Sequence, residues 1–217
     1  MADAVERVIA IEIDAGFVEV LRDRADGRED VEVVHADALR VDLDELVGVG
    51  PARLVANLPY NVATPMLVHA LACPAIEDAF VMVQREVGER WCAAAGERAR
   101  AGISVKLELI AEVEIAFTIP RTVFMPVPNV DSVMVRVRRR PDAPDPVERR
   151  LVVELVEAAF AQRRKTLRNT LRRVLAVDVL EAAADAAGID LGARAETVTT
   201  VEFRRLASAV AAVDERD

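Results

Sequence analysis

The sequence predicts an α/β fold with a mainly parallel sheet, followed by a smaller all-helical domain. Three observations predict it. Strand-like and helix-like segments alternate through the first two-thirds, the pattern of right-handed βαβ crossovers. A Pro- and charge-rich stretch from Arg139 to Pro146 then interrupts the chain, with prolines at Pro141, Pro144 and Pro146. Beyond it the apolar spacing turns helical, starting with Leu151, Leu155, Val156 and Ala159. Domains of residues 1–141 and 142–217 follow, joined by a linker near 141–146.

The elements run in this order. Val8 to Ile13 is a strand rich in β-branched residues, Phe17 to Arg24 a helix and Val31 to His35 a second strand. Arg53 to Ala56 is a third, a short apolar run that reads as buried, followed by a helix near Pro65–Leu71. Ala79 to Gln84 is a fourth strand. Residues 85–95 and 102–112 read as helices, and Glu114–Thr118 with Ser132–Arg138 as a closing pair of strands. Thr199-x-x-Glu202 is a capping box that opens a helix over Phe203 to Val213.

Composition narrows the function. Hydrophobic residues make up 53% of 217, enough for a real core. No apolar run is long enough to span a bilayer and no signal-peptide pattern opens the chain, so no membrane role is expected. Cys73 and Cys92 stand alone, without metal-ligand or redox spacing; no metal site is expected, and a reducing, cytoplasmic compartment is favoured. His35 and His69 have no evident catalytic partners. Net charge is −9, which argues against a nucleic-acid partner, yet residues 161–173 carry six cations and no acid. Lys106 and Lys165 are the only lysines. An acidic, lysine-poor surface around one basic stripe points to adaptation to high salt, to be checked as stability that rises with salt.

Asn57-Leu58-Pro59-Tyr60 carries the most chemistry. An Asn-x-Pro-Tyr bend at a strand end suits work on the exocyclic amine of a base. The Asn57 oxygen can accept one N–H and the Leu58 carbonyl another. Pro59 stiffens the bend by fixing its own φ and restricting Leu58. Tyr60 offers a ring on which a base stacks. In a doubly wound sheet, ligands lie beyond the C-terminal strand ends. Glu12, Asp37 and Asn57 sit at three successive ends, an order that suits a nucleoside laid across the sheet edge. Gly48-Val49-Gly50 is no phosphate-cradling turn, because it precedes a strand instead of following one. The strand and glycine turn that would come before the Glu12 strand are not among these residues, a piece of about 30 residues or more by the size of a βα unit.

These segments resemble the KsgA/RsmA family of small-subunit ribosomal RNA adenine N6,N6-dimethyltransferases. The resemblance rests on Ile11-Glu12-Ile13-Asp14, His35-Ala36-Asp37-Ala38, Asn57 to Asn61, Gln84-Arg85-Glu86-Val87, Phe124 to Ser132 and Ala159 to Asn169, and runs through nearly the whole chain. It implies a Rossmann-like S-adenosylmethionine-dependent methyltransferase sheet, N-terminally truncated, with a small C-terminal helical RNA-binding domain. It implies S-adenosylmethionine as cofactor and small-subunit rRNA, or a pre-30S-type subunit, as partner, with the protein a monomer. By resemblance, Glu12 holds the cofactor ribose, Asp37 its adenine amino group and Asn57 the reacting centre, with Ile13 and Ala38 as further cofactor contacts. Asn57, Leu58, Pro59 and Tyr60 form the catalytic bend. Arg98-Ala99-Arg100-Ala101-Gly102 replaces a Tyr-Gly pair usual in the family and reads as a loop variant of small consequence. A large-subunit rRNA or DNA adenine methyltransferase, and a non-catalytic RNA-binding or ribosome-assembly factor on the same fold, are the competing readings.

The implied mechanism needs positioning more than a base. Two acceptors on the amine hydrogens favour a pyramidal nitrogen whose lone pair faces the methyl group. The target base must leave its stack, with Tyr60 on one face and Phe124 the candidate for the other. Arg163, Arg164, Lys165, Arg168 and Arg172 are the expected RNA contacts. Arg164, Arg168 and Arg172 recur every four residues and are expected on one helix face, with Leu167, Leu171 and Val174 opposite.

Overall fold

Val8–Glu12 forms strand β1 and Val31–His35 forms β2, and the two pair in parallel from Val8↔Val31 to Glu12↔His35. Between them runs α1 (Ala15–Arg24), opened by Asp14, whose Oδ1 accepts from the N–H groups of Gly16 (2.8 Å) and Phe17 (3.1 Å). A short helix α2 (Leu43–Val47), absent from the sequence expectation, is capped by Asp42. Strand β3 (Ala52–Asn57) leads to α3 (Ala63–Ala72), which carries Pro65 in its first turn, where no intrahelical donor is lost. Along β3 burial alternates, and Val55 is 42% exposed; the wholly buried strand expected from Leu54-Val55-Ala56 is instead half-buried. The structure is a computed structural model that describes residues 5–214; the extreme ends of both expected domains lie outside the described residues.

Two compact units divide between Glu77 and Asp78, not at the expected 141–146. The second unit begins within β4 (Ile76–Gln84), followed by α4 (Arg85–Cys92), α5 (Gly102–Glu108), β5 (Ala111–Ile119) and β6 (Ser132–Arg139). Here β6 lies between β4 and β5 and is antiparallel to both. β6 thus runs against two neighbours that share one direction, within the α/β class expected. Residues 120–131 between β5 and β6 hold only a single 3-10 turn (Arg121–Val123), with no helix to carry a parallel crossover. The helix expected over 102–112 stops at Glu108, because Ala111 is already paired with Arg139.

The helices after the proline stretch are α6 (Pro146–Phe160), α7 (Leu167–Leu171), α8 (Val177–Ala187) and α9 (Thr200–Asp214). Asp145 caps α6, with Pro146 at its first position. Gly188, at φ 66°, ends α8 in the left-handed conformation that glycine adopts without strain. The capping box at α9 is formed as read: Thr199 Oγ1 accepts from the Glu202 N–H (3.2 Å), and Glu202 Oε2 accepts from the Thr199 N–H (2.8 Å). One apolar core joins these helices to α5. Val105 and Leu109 pack with Val152, Leu155, Leu167, Leu171, Leu180, Phe203 and Leu206. That shared core is why the proline stretch is a turn inside one unit and not a border between two. No helix among the described residues is long and apolar enough to cross a membrane.

Candidate functional site

At the end of β1 the chain folds back on its own carboxylate. Glu12 Oε1 accepts from the N–H groups of Ile13 and Asp14, both at 2.8 Å. This fixes the carboxylate and leaves Oε2 without a hydrogen bond from any described residue. Ile13 beside it is 65% exposed, an apolar surface next to an anion. The Ala36 N–H donates to the Glu12 carbonyl (3.0 Å), which brings the Asp37 turn to the end of β1. Asp37 is half-buried, and its Oδ1 accepts from the Leu39 N–H (3.0 Å) while Oδ2 lies 3.5 Å from the Arg40 guanidinium. Ala38, inside that turn, is half-buried.

The two histidines are structural. His35 Nε2 donates to the Ile13 carbonyl (3.1 Å) and His69 Nε2 to the Val41 carbonyl (3.0 Å). A carbonyl only accepts, so each Nε2 carries its hydrogen. Cys73 is buried, and burial pushes the Cys92 thiol up to about 11, far from reactive thiolate chemistry.

At the end of β3 the bend splits its four residues between core and solvent. Leu58 is 1% exposed and pins the bend, whereas Asn57, Pro59 and Tyr60 are exposed. Neither the Asn57 side chain nor the Leu58 carbonyl is bonded to another described residue. The chain then closes over the Pro59 carbonyl, which accepts from the Val62 N–H (3.1 Å) and leads into α3. The Leu58 backbone is held by its buried side chain, the Asn57 amide beside it has no partner among the described residues, and the Tyr60 ring is 37% exposed. A flat ring can reach the Asn57 amide, whereas the Leu58 carbonyl belongs to a residue that is 1% exposed.

The donor set fits a nucleoside cofactor such as S-adenosylmethionine. A carboxylate with one oxygen locked by backbone and one free can accept from a ribose hydroxyl. An exposed Ile13 supplies an apolar face for a purine. The Asp37 turn, hydrogen-bonded to β1 through Ala36, adds a second acid.

In the second unit, Phe124 is half-buried at the end of the Arg121–Val123 turn, flanked by Val123 (65% exposed) and Met125 (98%). Asp131 braces this loop: Oδ1 accepts from the Arg121 N–H (3.0 Å) and Oδ2 from Arg85 Nη2 (3.2 Å).

The cationic segment departs from expectation. α6 stops at Phe160, residues 161–164 are turn, and α7 restarts only at Leu167. Arg164 lies outside any helix, so Arg164, Arg168 and Arg172 do not share one helical face. Leu167 and Leu171 are buried as read, but Val174 is 57% exposed. Several of the cations are already engaged. Arg163 donates to the Arg98 carbonyl, and Arg168 pairs with Glu181. Turning the Gln162 amide over, as its neighbours favour, lets its oxygen accept from both Nη atoms of Arg173 (2.9 and 2.8 Å). Arg164, Lys165 and Arg172 are exposed and make no ion pair with any described residue. Sequence reasoning missed Arg100, whose loop was expected to matter little. It is 1% exposed and bonded to four groups, and nothing in an Arg-Ala-Arg-Ala run signals that.

Comparison with known proteins gives the geometry a family. Residues 1–212 match the model of ribosomal RNA adenine dimethylase. Ribosomal RNA small subunit methyltransferase A of Thermobifida fusca is 46% identical over 210 residues, spanning 94% of this chain and 72% of that protein. The protein of that name from Geobacillus thermodenitrificans is 37% identical over 223 residues, 97% of this chain and 76% of its own. Among solved structures, the 23S rRNA methyltransferase ErmE superposes with a TM-score of 0.74 at 28% identity, covering 97% of this chain and 84% of that one. A dimethyladenosine transferase from Plasmodium falciparum gives a TM-score of 0.71 at 22% identity, over 92% of this chain and 80% of its own, a likeness of fold. With residues 1–212 of its 217 matched by that family model, the chain belongs to the ribosomal RNA adenine dimethylase family.

Proposed function

We propose that the chain transfers methyl groups from S-adenosylmethionine to the N6 amines of two adjacent adenines in small-subunit rRNA during ribosome maturation, working as a cytoplasmic monomer. The observation that carries this reading is the bend at Asn57, where an exposed amide without a partner among the described residues sits beside an exposed ring and a buried leucine anchor.

Glu12 Oε2 accepts from the cofactor ribose, Ile13 packs on its purine, and the Asp37–Ala38 turn meets the purine amino edge. Bound S-adenosylmethionine supplies the electrophilic methyl carbon. The rest falls to the bend. In free adenine the N6 lone pair is delocalised into the ring and is a weak nucleophile. Asn57 Oδ1 and the Leu58 carbonyl each accept one N6 hydrogen. That geometry favours a pyramidal nitrogen with its lone pair turned out of the ring plane. The Leu58 carbonyl is fixed by the backbone before the base arrives, and the exposed Asn57 amide orders as the base binds. Pro59 holds the two oxygens in register, and Tyr60 stacks on the flipped base. Once methylated, the nitrogen carries positive charge and its N–H becomes acidic enough for water to take the proton.

RNA is held from the second unit. Arg164, Lys165 and Arg172, exposed and without acidic partners among the described residues, contact phosphates. Arg163 and Arg168 add charge from fixed positions, and Phe124 offers an aromatic surface to an unstacked base.

The test is methyl transfer from labelled S-adenosylmethionine to small-subunit and large-subunit rRNA, followed by nucleoside analysis. Dimethyladenosine at adjacent positions of small-subunit RNA is expected. Label confined to large-subunit RNA would move the substrate to the one named for the ErmE structure. RNA binding with no transfer at all would leave a non-catalytic assembly factor.

A further inference from the structure

The loop between α4 and α5 carries a charged group that the core has absorbed. Arg100 is 1% exposed. Its Nη1 donates to the Ala93 carbonyl (2.8 Å), and both Nη atoms reach Glu108 Oε2 (3.3 Å each). Nη2 also donates to the Val198 carbonyl and to Thr200 Oγ1, each at 3.3 Å. Thr200 Oγ1 in turn donates to Glu108 Oε2 (2.6 Å). One guanidinium therefore ties the exit of α4, the end of α5 and the entry to α9. A lysine has one point of charge and cannot reach four acceptors on different elements. Burying a cation is unfavourable unless its partners are in place; here four acceptors meet Nη1 and Nη2, while the buried Nε has no partner among the described residues.

The same loop grips the cationic turn. The Arg98 carbonyl, two residues from Arg100, accepts from Arg163 Nη2. The Gly96 N–H donates to the Glu196 carbonyl (2.8 Å), on the segment that Arg100 also holds. A Cβ at Gly102 would lie 3.5 Å from Val156 and 3.6 Å from Phe160, so the start of α5 is packed against the last turns of α6. Arg164 and Lys165 follow directly.

We propose that Arg100 is a positioning residue for RNA binding: it fixes the 93–101 loop, whose Arg98 carbonyl holds Arg163 and so sets the cationic turn that meets phosphate. This rests on the reading of Arg164 and Lys165 as RNA contacts. The charge itself is not what matters, because Arg100 is shielded from any ligand.

The experiment measures affinity for small-subunit rRNA across Arg100→Lys, Arg163→Ala and the double variant, with S-adenosylmethionine affinity in parallel. Arg100→Lys keeps the charge and is expected to weaken RNA binding about fivefold or more while cofactor affinity holds within about twofold. Because both variants release the same loop, the double is expected to bind within about twofold of the weaker single. Losses that multiply, or an Arg100→Lys protein that binds RNA as the parent does, overturn the role. Should Arg100→Lys fail to fold, Thr200→Val removes one hydroxyl from the cluster. It is expected to give a smaller loss with the same lack of multiplication, and unchanged RNA affinity overturns the role equally. Lys165→Glu separates the two levels. If it weakens binding and Arg100→Lys does not, the positioning role alone falls; if neither does, the RNA reading falls with it.

Discussion

The bend at Asn57–Tyr60 and the cationic segment at 161–173 are the two sites of this chain richest in chemistry, and their polar groups are held in opposite ways. In the bend, one buried side chain, Leu58, anchors the backbone, and the exposed Asn57 amide beside it is left without a partner among the described residues. In the cationic segment, the protein uses much of its own charge. Arg163 is spent on a carbonyl, Arg168 on Glu181 and Arg173 on Gln162. A preorganised acceptor must stay unsatisfied until its ligand arrives, whereas a basic surface binds polyanion with whatever cations remain.

The comparison can be broken first at the anchor. Leu58→Ala removes a fully buried side chain and is expected to destabilise the first unit by about 2–5 kcal/mol in denaturant unfolding. Tyr60→Ala, at a ring 37% exposed, is expected to cost much less stability. Equal losses would mean that the bend has no single anchor.

On the cationic side the expected effect is smaller and depends on salt. Arg164→Glu with Lys165→Glu should weaken RNA binding about tenfold or more at low salt. The slope of log affinity against log salt should flatten by roughly 0.7–0.9 for each phosphate that is no longer neutralised. Reversing the internal pair, Arg168→Glu with Glu181→Arg, should move affinity less, since Arg168 already has a partner. An exchange pair that matches the first variant would show that the engaged cation binds RNA as well as the free ones.

The smallest effect is a pH dependence confined to the helices. Backbone N–H groups at the starts of α6 and α9 hold the Asp145 and Glu202 carboxyls below their ordinary values. A depressed folded value means stability that is full above the unfolded value and is lost as pH falls through the folded one. Helical signal should therefore lose stability only below about pH 4.5, the ordinary Glu value, and Asp145→Asn with Glu202→Gln should remove that part of the acid response.

What was legible in the sequence was local. Asn57 to Tyr60 are consecutive, and Thr199 with Glu202 sit in one turn, so residue types alone defined their geometry. The cationic face was misread because the break between α6 and α7 has a long-range cause. The Leu167 and Arg168 N–H groups donate to the carbonyls of Ala193 (2.9 Å) and Leu191 (3.0 Å), and Thr166 bridges to Arg194. Four-residue spacing cannot report partners more than twenty residues away. Arg100 was overlooked for the same reason: its acceptors at Val198 and Thr200 lie about a hundred positions along the chain. The Pro-rich stretch was visible, but its role as a border was not, since the core that makes it internal comes from α5.

The most direct measurement is the split between turnover and RNA affinity in Asn57→Ala. The side chain is exposed and unbonded, so the variant should fold and bind RNA as the parent does. Methyl transfer should fall by about two to three orders of magnitude, the scale of losing one preorganised hydrogen-bonding group. Turnover within a fewfold of the parent, at equal RNA affinity, would contradict the account.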